Sequence, residues 1–260
     1  MPELLLINAA VVLAGLTLLW LASLPLRDVS IVDVAWGPGF AVVAWISWGL
    51  APTATAAIVP AVLTTVWALR LAGYLAWRKR GEGEDRRYRA MRDKHNGRFW
   101  WLSLLTVFWL QGGLMWLISL PLQLGQLQPW AAPLVPLAWI GGGLWGIGLV
   151  FETVGDWQLA RFKANPANQG QVLDRGLWRY TRHPNYFGDF LVWWGLGLLC
   201  LAAGAPWWAL AGPVVMSILL MRVSGVTLLE KSLRQRKPGY EDYVRRTSAF
   251  FPLPPSKPAA

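Results

Sequence analysis

Cysteine and histidine are scarce in this sequence. Its 260 residues include one cysteine, Cys200, and two histidines, His95 and His183. A single cysteine excludes an intramolecular disulfide and a cysteine-based metal cluster, and two histidines are too few for a histidine metal site. We therefore expect no resident metal.

Charged residues are also few, and one sign predominates. Only 15% of the chain is charged, 55% is hydrophobic, and the mean hydropathy is +0.38. The 24 Lys and Arg outnumber the 14 Asp and Glu, which gives a net charge of +10. In a soluble protein that excess would suggest nucleic acid, but here we interpret it as membrane topology and expect no nucleic-acid partner. The 19 tryptophans agree with this interpretation, because Trp favours membrane interfaces.

Three further signals are missing. The start, Met1-Pro2-Glu3, has no basic region, so we expect the first apolar run to be retained as a helix and not removed as a signal peptide. No glycine-rich dinucleotide fingerprint occurs anywhere. No linker divides the chain, so we expect one integral-membrane domain over residues 1–260. The Pro-rich tail from Pro252 onward is expected to be frayed.

Long apolar segments predict an all-α, multi-pass membrane protein. Each segment is close to the ~20 residues that a helix needs to cross a bilayer. Seven transmembrane helices are expected, at 3–25, 30–50, 54–77, 100–122, 132–159, 186–203 and 206–228.

The positions of the basic residues predict the orientation. All 24 Lys and Arg lie in or beside alternate connections, whereas the turns at 51–53, 123–131 and 204–206 have none. By the positive-inside rule, the basic connections are cytoplasmic. We therefore expect the N-terminus outside and the C-terminus in the cytoplasm, which requires an odd number of spans.

A glycine-rich run lies within the fifth predicted span, at Gly141-Gly-Gly-Leu-Trp-Gly146. Small residues let helix backbones approach closely in a membrane. No strand precedes the run, so we interpret it as a packing face and not as a phosphate loop.

The densest polar group of the chain stands directly before an apolar helix, at Gly176-Leu-Trp-Arg-Tyr-Thr-Arg-His-Pro-Asn-Tyr-Phe-Gly-Asp-Phe190. Polar groups at the mouth of a membrane helix are costly and usually mark a site. Pro184 suits the first turn of a helix, which would place Arg182 and His183 just outside it. Asn185 would then lie inside the helix, one turn before the acidic residue of the motif.

Other ionisable residues fall within the predicted spans or at their edges. A buried charge costs at least ~2.5–3.5 kcal/mol in a membrane, so such groups should pair with one another. Structural ion pairs would explain each one singly; together, at one membrane face, they favour a ligand cavity. They are Asp33, Arg70, Tyr74, Glu152, Asp156, Arg161, Lys163, Asp189, Arg222 and Glu230.

The run Arg182-His-Pro-Asn-Tyr-Phe-Gly-Asp189 resembles the C-terminal signature of the steroid 5-alpha-reductase family, which includes sterol reductases. The resemblance extends roughly from the second span to the tail. It implies a membrane-embedded, NADPH-dependent reductase with the substrate mainly in helices 1–4 and the cofactor in the C-terminal half, about 132–252. It also implies an apolar, steroid-like enone that enters from the lipid, and we expect a monomer in the bacterial inner (cell) membrane.

The resemblance assigns a set of residues to the cofactor. Asn185 and Asp189 match an Asn and an acidic residue that the family places near the nicotinamide. Basic side chains would bind the phosphates, Arg bidentately. The implied cofactor-binding residues are Arg70, Glu152, Asp156, Lys163, Arg179, Tyr180, Arg182, His183, Asn185, Asp189, Arg222, Glu230, Tyr243 and Arg246.

The substrate end departs from the family's pattern. That pattern has a Gln-x-x-x-Glu in the second span and a Tyr in the third, which contact the ketone. Here Asp33, Trp36 and Trp67 occupy that neighbourhood. Asp33, if protonated by burial, could donate a hydrogen bond to the carbonyl oxygen, and Tyr74 is a second candidate donor. We therefore expect the catalytic residues to be Asp33, Tyr74, Trp36 and Trp67.

Two other functions stay open. The run Arg179-Tyr-Thr-Arg-His-Pro184 is similar to one in isoprenylcysteine carboxyl methyltransferases, which binds S-adenosylmethionine. The other alternative is a non-catalytic membrane protein that binds a sterol or lipid. Asn185 and Asp189 favour the reductase over the methyltransferase.

Overall fold

The computed structural model describes residues 1–50, 58–125, 135–223, 226, 230, 233–234 and 237–256. Within these ranges the chain is helical and contains no strand, apart from an isolated parallel bridge between Thr181 and Ser248. The chain divides into two compact units. Unit 1 comprises Met1–Ala138 with Leu196–Gly212, and unit 2 comprises Trp139–Gly195 with Pro213–Ala260.

Unit 1 contains the helices of the first half of the chain. The long ones are α1 (Pro2–Leu26), α2 (Ile31–Leu50) and α3 (Ile58–Lys79). They are followed by α4 (Arg86–His95), a 3₁₀ turn (Asn96–Arg98), α5 (Phe99–Ser103), a π-helix (Leu104–Trp109), α6 (Leu110–Ile118) and α7 (Leu120–Leu124).

Two long helices, each shared between the units, lead the second half. They are α8 (Val135–Ala164) and α9 (Pro184–Ala202), and two 3₁₀ turns lie between them, Pro166–Asn168 and Gly176–Arg179. A 3₁₀ turn (Trp207–Leu210), α10 (Ala211–Ile218), a second π-helix (Leu219–Val223) and α11 (Tyr240–Arg246) follow.

Among the described residues, six helices are long and apolar enough to cross a membrane, which agrees with a multi-pass, all-helical protein. They begin at Pro2, Ile31, Ile58, Arg86, Val135 and Pro184. The seventh predicted span, 206–228, corresponds to the shorter apolar run Trp207–Val223, and residues 224, 225, 227 and 228 lie outside the described part of the chain. The count of seven and the orientation stay predictions.

The basic connection at 78–98 contains the helix α4, whose Asp85 N-cap accepts a hydrogen bond from the Arg87 N–H at 2.9 Å. The expectation of a frayed tail was wrong for the described residues. The tail is not frayed as far as Ser256. The Leu253 N–H donates to the Tyr180 carbonyl at 3.0 Å, and the Ser256 N–H to the Arg246 carbonyl at 2.9 Å. These long-range backbone bonds leave no trace in a Pro-rich sequence pattern.

Unit 1 has an apolar core in which α2 and α3 pack closely. Phe40, Val43 and Phe108 are fully buried there. A methyl group on Gly37 would lie 2.7 Å from the Ala68 carbonyl oxygen, so this contact requires glycine. Close approach of α2 and α3 fixes the start of α2, which carries Asp33.

Unit 2 is built on a glycine contact between α8 and α9. A methyl group on Gly148 would lie 2.5 Å from the Gly188 carbonyl oxygen, and one on Gly195 would lie 2.6 Å from the Gly141 carbonyl oxygen. Of the glycine run at 141–146, Gly141 takes part in this packing through its carbonyl oxygen, and the other three glycines do not. Gly142, Gly143 and Gly146 have no atom within 4 Å of the position that a Cβ would take.

Candidate functional site

A polar network in unit 1 is centred on Asp33, near the start of α2. The Tyr88 hydroxyl donates to one Asp33 carboxylate oxygen at 2.7 Å, and the Arg87 guanidinium donates to the other at 3.0 Å. Gln111 donates to the Tyr88 hydroxyl oxygen at 3.2 Å and accepts from the Trp36 indole N–H. Hydrogen bonds from a guanidinium and a phenol favour the charged form of this carboxylate, and the role of Asp33 as a protonated donor stays a prediction.

The α4 helix delivers Arg87 and Tyr88 to this network, and an acidic residue before it holds it in place. Glu84 accepts from the Val29 N–H at 2.9 Å and forms an ion pair with Arg92 at 2.7 Å. These contacts tie the segment before α4 to the turn before α2. Tyr88 is 7% exposed as a result, although its sequence neighbours on α4 are mostly exposed.

A second set of contacts at the same turn involves Asp28. Lys79, at the end of α3, forms a 2.6 Å ion pair with Asp28, and Ser30 donates to it at 2.6 Å. Burial acts to raise the pKa of Asp28, but the hydrogen bonds from Lys79 and Ser30 outweigh it, so that the pKa lies below its usual value. The same balance, with Arg92 as the main donor, lowers the pKa of Glu84. Both carboxylates are therefore held ionised at neutral pH.

The other predicted substrate-side residues lie on α3. Trp67 is 1% exposed and packs against Phe40, with ring centroids 5.9 Å apart. Tyr74 lies between two cations, since the Arg70 and Arg78 guanidinium carbons are 5.8 and 5.6 Å from its ring centroid. Trp67 is thus a core residue, and Tyr74 is set in a basic environment.

The central contact of unit 2 joins α8 to the start of α9. The Asn185 amide donates to the Asp156 carboxylate at 3.1 Å. Glu152, one turn earlier on α8, is 2% exposed and lies against Gly188, where an added methyl would be 2.6 Å from the Glu152 nitrogen. The helix α9 begins at Pro184, which confirms the prediction from the motif. Three of the residues that the resemblance assigned to the cofactor are thereby brought to one place.

Arg182 and His183 belong to a different cluster, which is buried within unit 2. The Arg182 guanidinium donates to Glu230 at 2.7 Å, to the Val244 carbonyl at 3.1 Å and to the Thr247 carbonyl. The His183 ring nitrogen lies 3.3 Å from the same Glu230 oxygen. Arg182 is 7% exposed, so it pairs within the protein instead of presenting its charge at the surface.

The C-terminal segment is held by this cluster and by aromatic packing. The Thr181 hydroxyl donates to the Phe250 carbonyl at 2.8 Å, and the Arg182 N–H donates to the Ser248 carbonyl at 2.9 Å. The Phe250 ring packs edge-on against Phe190, with centroids 5.6 Å apart. The polar motif therefore organises its own surroundings as well as the start of α9.

Two tyrosines of α11 lie near the Glu230 carboxylate. Burial and the nearby Glu230 charge raise the pKa of Tyr240 to about 12. Burial raises the pKa of Tyr243 further still, and its hydroxyl donates to the Trp178 carbonyl. For Glu230, burial is outweighed by hydrogen bonds from His183 and Arg182, which lower its pKa to about 2. The cluster therefore contains an ionised carboxylate and two protonated phenols at neutral pH.

A pocket of about 580 Å³ lies in unit 2 beside the end of α8. Two guanidinium groups line it, and each lies near an aromatic ring: Arg161 is 5.5 Å from the Trp157 ring centroid, and Arg175 is 5.7 Å from that of Phe162. Amide side chains complete its wall, from Gln158, Asn165 and Asn168. Cations, aromatic rings and amides together suit an aromatic ring that carries anionic groups.

The remaining assigned residues are more scattered. Lys163, Arg179, Tyr180 and Arg222 are exposed, and Arg222 lies in the second π-helix. Arg246 is 3.7 Å from the Asp174 carboxylate. Asp189 is half-buried on α9. None of the five basic and aromatic residues among these lines the pocket beside α8.

Two members of the Asp33 network, Tyr88 and Gln111, were not predicted from the sequence. Tyr88 stands among arginines that indicate a solvated loop, and Gln111 carries no charge to mark it. One signal does precede Gln111 in the structure: the π-helix Leu104–Trp109, since single π-turns are frequent at functional sites. That irregularity cannot be seen in the sequence.

Residues 19–247 match the model of a family described as a protein of unknown function, DUF1295. The chain belongs to the DUF1295 family. This family is related to the steroid 5-alpha-reductases. No curated protein and no solved structure matches the chain.

Proposed function

We propose that this DUF1295 protein is an NADPH-dependent membrane reductase, which saturates a carbon–carbon double bond conjugated to a ketone in an apolar molecule. The contact between Asn185 and Asp156, beside the buried Glu152, carries the proposal. These residues lie on two helices, yet the resemblance to steroid 5-alpha-reductases assigns all three to the cofactor. The relation between the two families supports the same reaction class. A 3-oxo-4-ene steroid is the substrate that we propose to test first.

Unit 2 has a chemistry suited to NADPH. The pocket beside α8 presents Arg161 and Arg175 for phosphate groups and Trp157 or Phe162 for the adenine ring. Asp156 and Asn185 offer carboxylate and amide groups of the kind that hydrogen-bond ribose hydroxyls and a carboxamide. Arg182 is less suited to a phosphate, because its guanidinium donates to Glu230 and to backbone carbonyls.

The chemistry of the proposed reaction has two parts. NADPH, when bound, supplies the hydride that adds to the β-carbon of the enone. A solvent-derived proton adds to the α-carbon, so the product is the saturated ketone. Negative charge develops on the carbonyl oxygen during this reaction, and a hydrogen-bond donor directed at that oxygen lowers the barrier.

Tyr88 is the donor that we assign to the carbonyl oxygen. Its hydroxyl is positioned by Asp33 and Gln111 at 2.7 and 3.2 Å. The hydroxyl has one proton, so a bound ketone would replace Asp33 as its acceptor. Arg87, whose side chain is 52% exposed, would then neutralise the Asp33 carboxylate. In this assignment Asp33 positions Tyr88 and is not itself the acid.

An isotope experiment tests the reaction. Purified protein is incubated with 4-deuterated NADPH and a 3-oxo-4-ene steroid, and the product is analysed by mass spectrometry and NMR. We expect deuterium at the β-carbon and a solvent proton at the α-carbon. Deuterium at the α-carbon, or no label with any ketosteroid, would contradict the proposal.

Two substitutions separate the roles of the units. Tyr88→Phe should lower kcat by about 10–100-fold, since a lost hydrogen bond to a charged group is worth about 1.5–3 kcal/mol. The affinity of this variant for NADPH should stay within about twofold of the wild-type value. Asn185→Ala should weaken NADPH binding and lower turnover with every substrate.

Equilibrium binding separates the reductase from the two alternatives. The reductase binds NADPH and does not bind S-adenosylmethionine. Binding of S-adenosylmethionine alone would point to the methyltransferase. Ligand binding with no NADPH oxidation would point to a non-catalytic sterol- or lipid-binding protein.

A further inference from the structure

A second pocket, of about 820 Å³, lies in unit 1 where α1 ends and α4 meets α5. Its size falls within the range of about 300–1,000 Å³ that is usual for small-molecule sites. Its lining includes Arg27, Arg92 and Asp93 together with the apolar surfaces of Leu24 and Trp100. It shares no lining residue with the Asp33 network, so that network does not account for it.

The cations of this pocket are Arg27 and Arg92. Arg92 is paired with Glu84 at 2.7 Å, and its guanidinium carbon lies 4.9 Å from the Phe99 ring centroid. Arg27 is exposed and has no ion-pair partner within the described ranges of the chain. Asp93, also exposed, is the acidic residue of the wall. The pocket therefore presents one cation that is already paired and one that is available to a ligand.

Two strained residues line the pocket. Arg27 has φ 50° and ψ 36°, and Asn96 has φ 48° and ψ −136°. In the described part of the chain, these are the two non-glycine residues with positive φ. A left-handed conformation costs a non-glycine residue about 1–3 kcal/mol, and such residues cluster at ligand sites.

The conformation of Arg27 follows from the way α1 ends. The Arg27 N–H donates to the Leu24 carbonyl and the Asp28 N–H donates to the Ser23 carbonyl, each at 3.2 Å. Glycine is the usual residue at such a helix end, because it adopts positive φ without strain. An arginine at this position strains the backbone. That strain is compatible with a binding function for the arginine side chain.

Exposed tryptophans border the pocket. Trp100 lines the pocket, is 55% exposed, and stacks on Trp20 with ring centroids 6.4 Å apart. The adjacent Trp101 is 41% exposed. Exposed tryptophans beside basic residues at the ends of apolar helices are typical of the lipid headgroup region.

We propose that this pocket binds the phosphate-bearing headgroup of a membrane phospholipid. Arg27 would contact the phosphate, and Leu24 and Trp100 would contact the glycerol and the first part of the acyl chains. The ligand chemistry is a phosphate ester, and the tryptophans commit the site to a lipid over a soluble phosphate. This inference does not depend on the proposed reductase activity.

Native mass spectrometry tests the proposal. The full-length protein, delipidated in a non-ionic detergent, is titrated with dioleoyl phosphatidylglycerol, and bound lipid is counted. Arg27→Gly is the informative variant, because it removes the guanidinium and also relieves the left-handed backbone. We expect at least about tenfold weaker lipid binding, as for the loss of one charge-assisted contact, with thermal stability unchanged or raised. Arg86→Gln, at an exposed α4 arginine outside the pocket lining, is the matched control and should bind as wild type does.

Every other outcome counts against the site. Equal lipid loss in Arg27→Gly and Arg86→Gln would mean a diffuse basic surface. Wild-type lipid binding by Arg27→Gly would remove Arg27 from the site. Competition by glycerol 3-phosphate at the same concentration as the lipid would make the ligand a soluble phosphate ester. NADPH binding, measured in the same samples, should be the same in all variants.

Discussion

At the scale of single residues, Arg182 shows that a residue of a ligand-binding motif can make its contacts within the protein. It belongs to the motif that resembles a reductase signature, yet its side chain is 7% exposed and donates to Glu230 and to two backbone carbonyls. These contacts attach the C-terminal segment to the start of α9. A variant of Arg182 would lose activity through the fold, so it cannot report on cofactor contact.

Glu230→Gln should destabilise the protein strongly. Removal of one partner from a buried ion pair leaves a buried charge and usually costs about 3–5 kcal/mol. The measurement is thermal unfolding in detergent, followed by tryptophan fluorescence. The matched control is Glu241→Gln, which breaks the 3.1 Å pair with Arg234; side chains there are 56% and 45% exposed. An exposed pair is worth about 0–1 kcal/mol, so equal losses in the two variants would contradict a special role for the buried cluster.

The same carboxylate predicts a pH dependence. The pKa of Glu230 is lowered from 4.5 to about 2 in the folded protein, so the folded state binds its proton less readily than the unfolded state does. Its contribution to stability is complete above pH 4.5 and is lost as the pH falls towards 2. The difference in Tm between wild type and Glu230→Gln should shrink over that interval. If the difference in Tm stays constant as the pH falls to about 2, Glu230 is not the source of the pH dependence.

At the scale of helices, glycine at two positions sets the distance between α8 and α9. Gly148 meets the Gly188 carbonyl and the Val192 nitrogen, at 2.5 and 2.7 Å from the position of an added Cβ. These atoms are backbone, so they cannot rotate away as a flexible side chain would. This contact lies one turn from Glu152. It therefore sets the distance between the carboxylates of α8 and Asn185.

Gly148→Ala should destabilise the protein by about 1–3 kcal/mol, as overpacking of a tight contact usually does. It should also weaken NADPH binding, because the helices must separate near Asp156. Gly143→Ala, on the same helix, is the control: nothing lies within 4 Å of its added Cβ, and alanine is the better helix former by up to about 1 kcal/mol. Thermal unfolding and NADPH titration of the two variants give the comparison. If the two variants unfold at the same temperature and bind NADPH equally well, the close approach of the helices does not contribute to stability or binding.

At the scale of the whole molecule, the distribution of basic residues predicts the orientation in the membrane. A reporter fused after residue 259 should lie in the cytoplasm, and one inserted at residue 128 should lie outside it. A dual alkaline phosphatase and green fluorescent protein assay distinguishes the two sides, and fusions at the two positions control each other. The reverse result would remove the basis for NADPH binding, because that cofactor is cytoplasmic.

Much of the helical architecture could be predicted from the sequence because its signals are local. Apolar length predicted the helices that begin at Pro2, Ile31 and Pro184, and the proline at the start of α9 fixed a helix end to the residue. α4 was missed because its ten residues are polar on most sides and have no apolar stripe to mark a helix. The tail was mispredicted because its order depends on backbone partners at Tyr180 and Arg246.

The sequence by itself predicted a helical, multi-pass protein with a polar motif at the start of α9, since hydropathy, capping and motif spacing are properties of neighbouring residues. Only the tertiary structure decided which polar groups meet. Asp33 pairs with Tyr88 and Arg87, more than fifty residues away along the chain. Arg182 pairs with Glu230 within the protein. Those choices depend on the rotation and approach of packed helices, which the glycines at 37, 148 and 188 set through contacts with distant backbone.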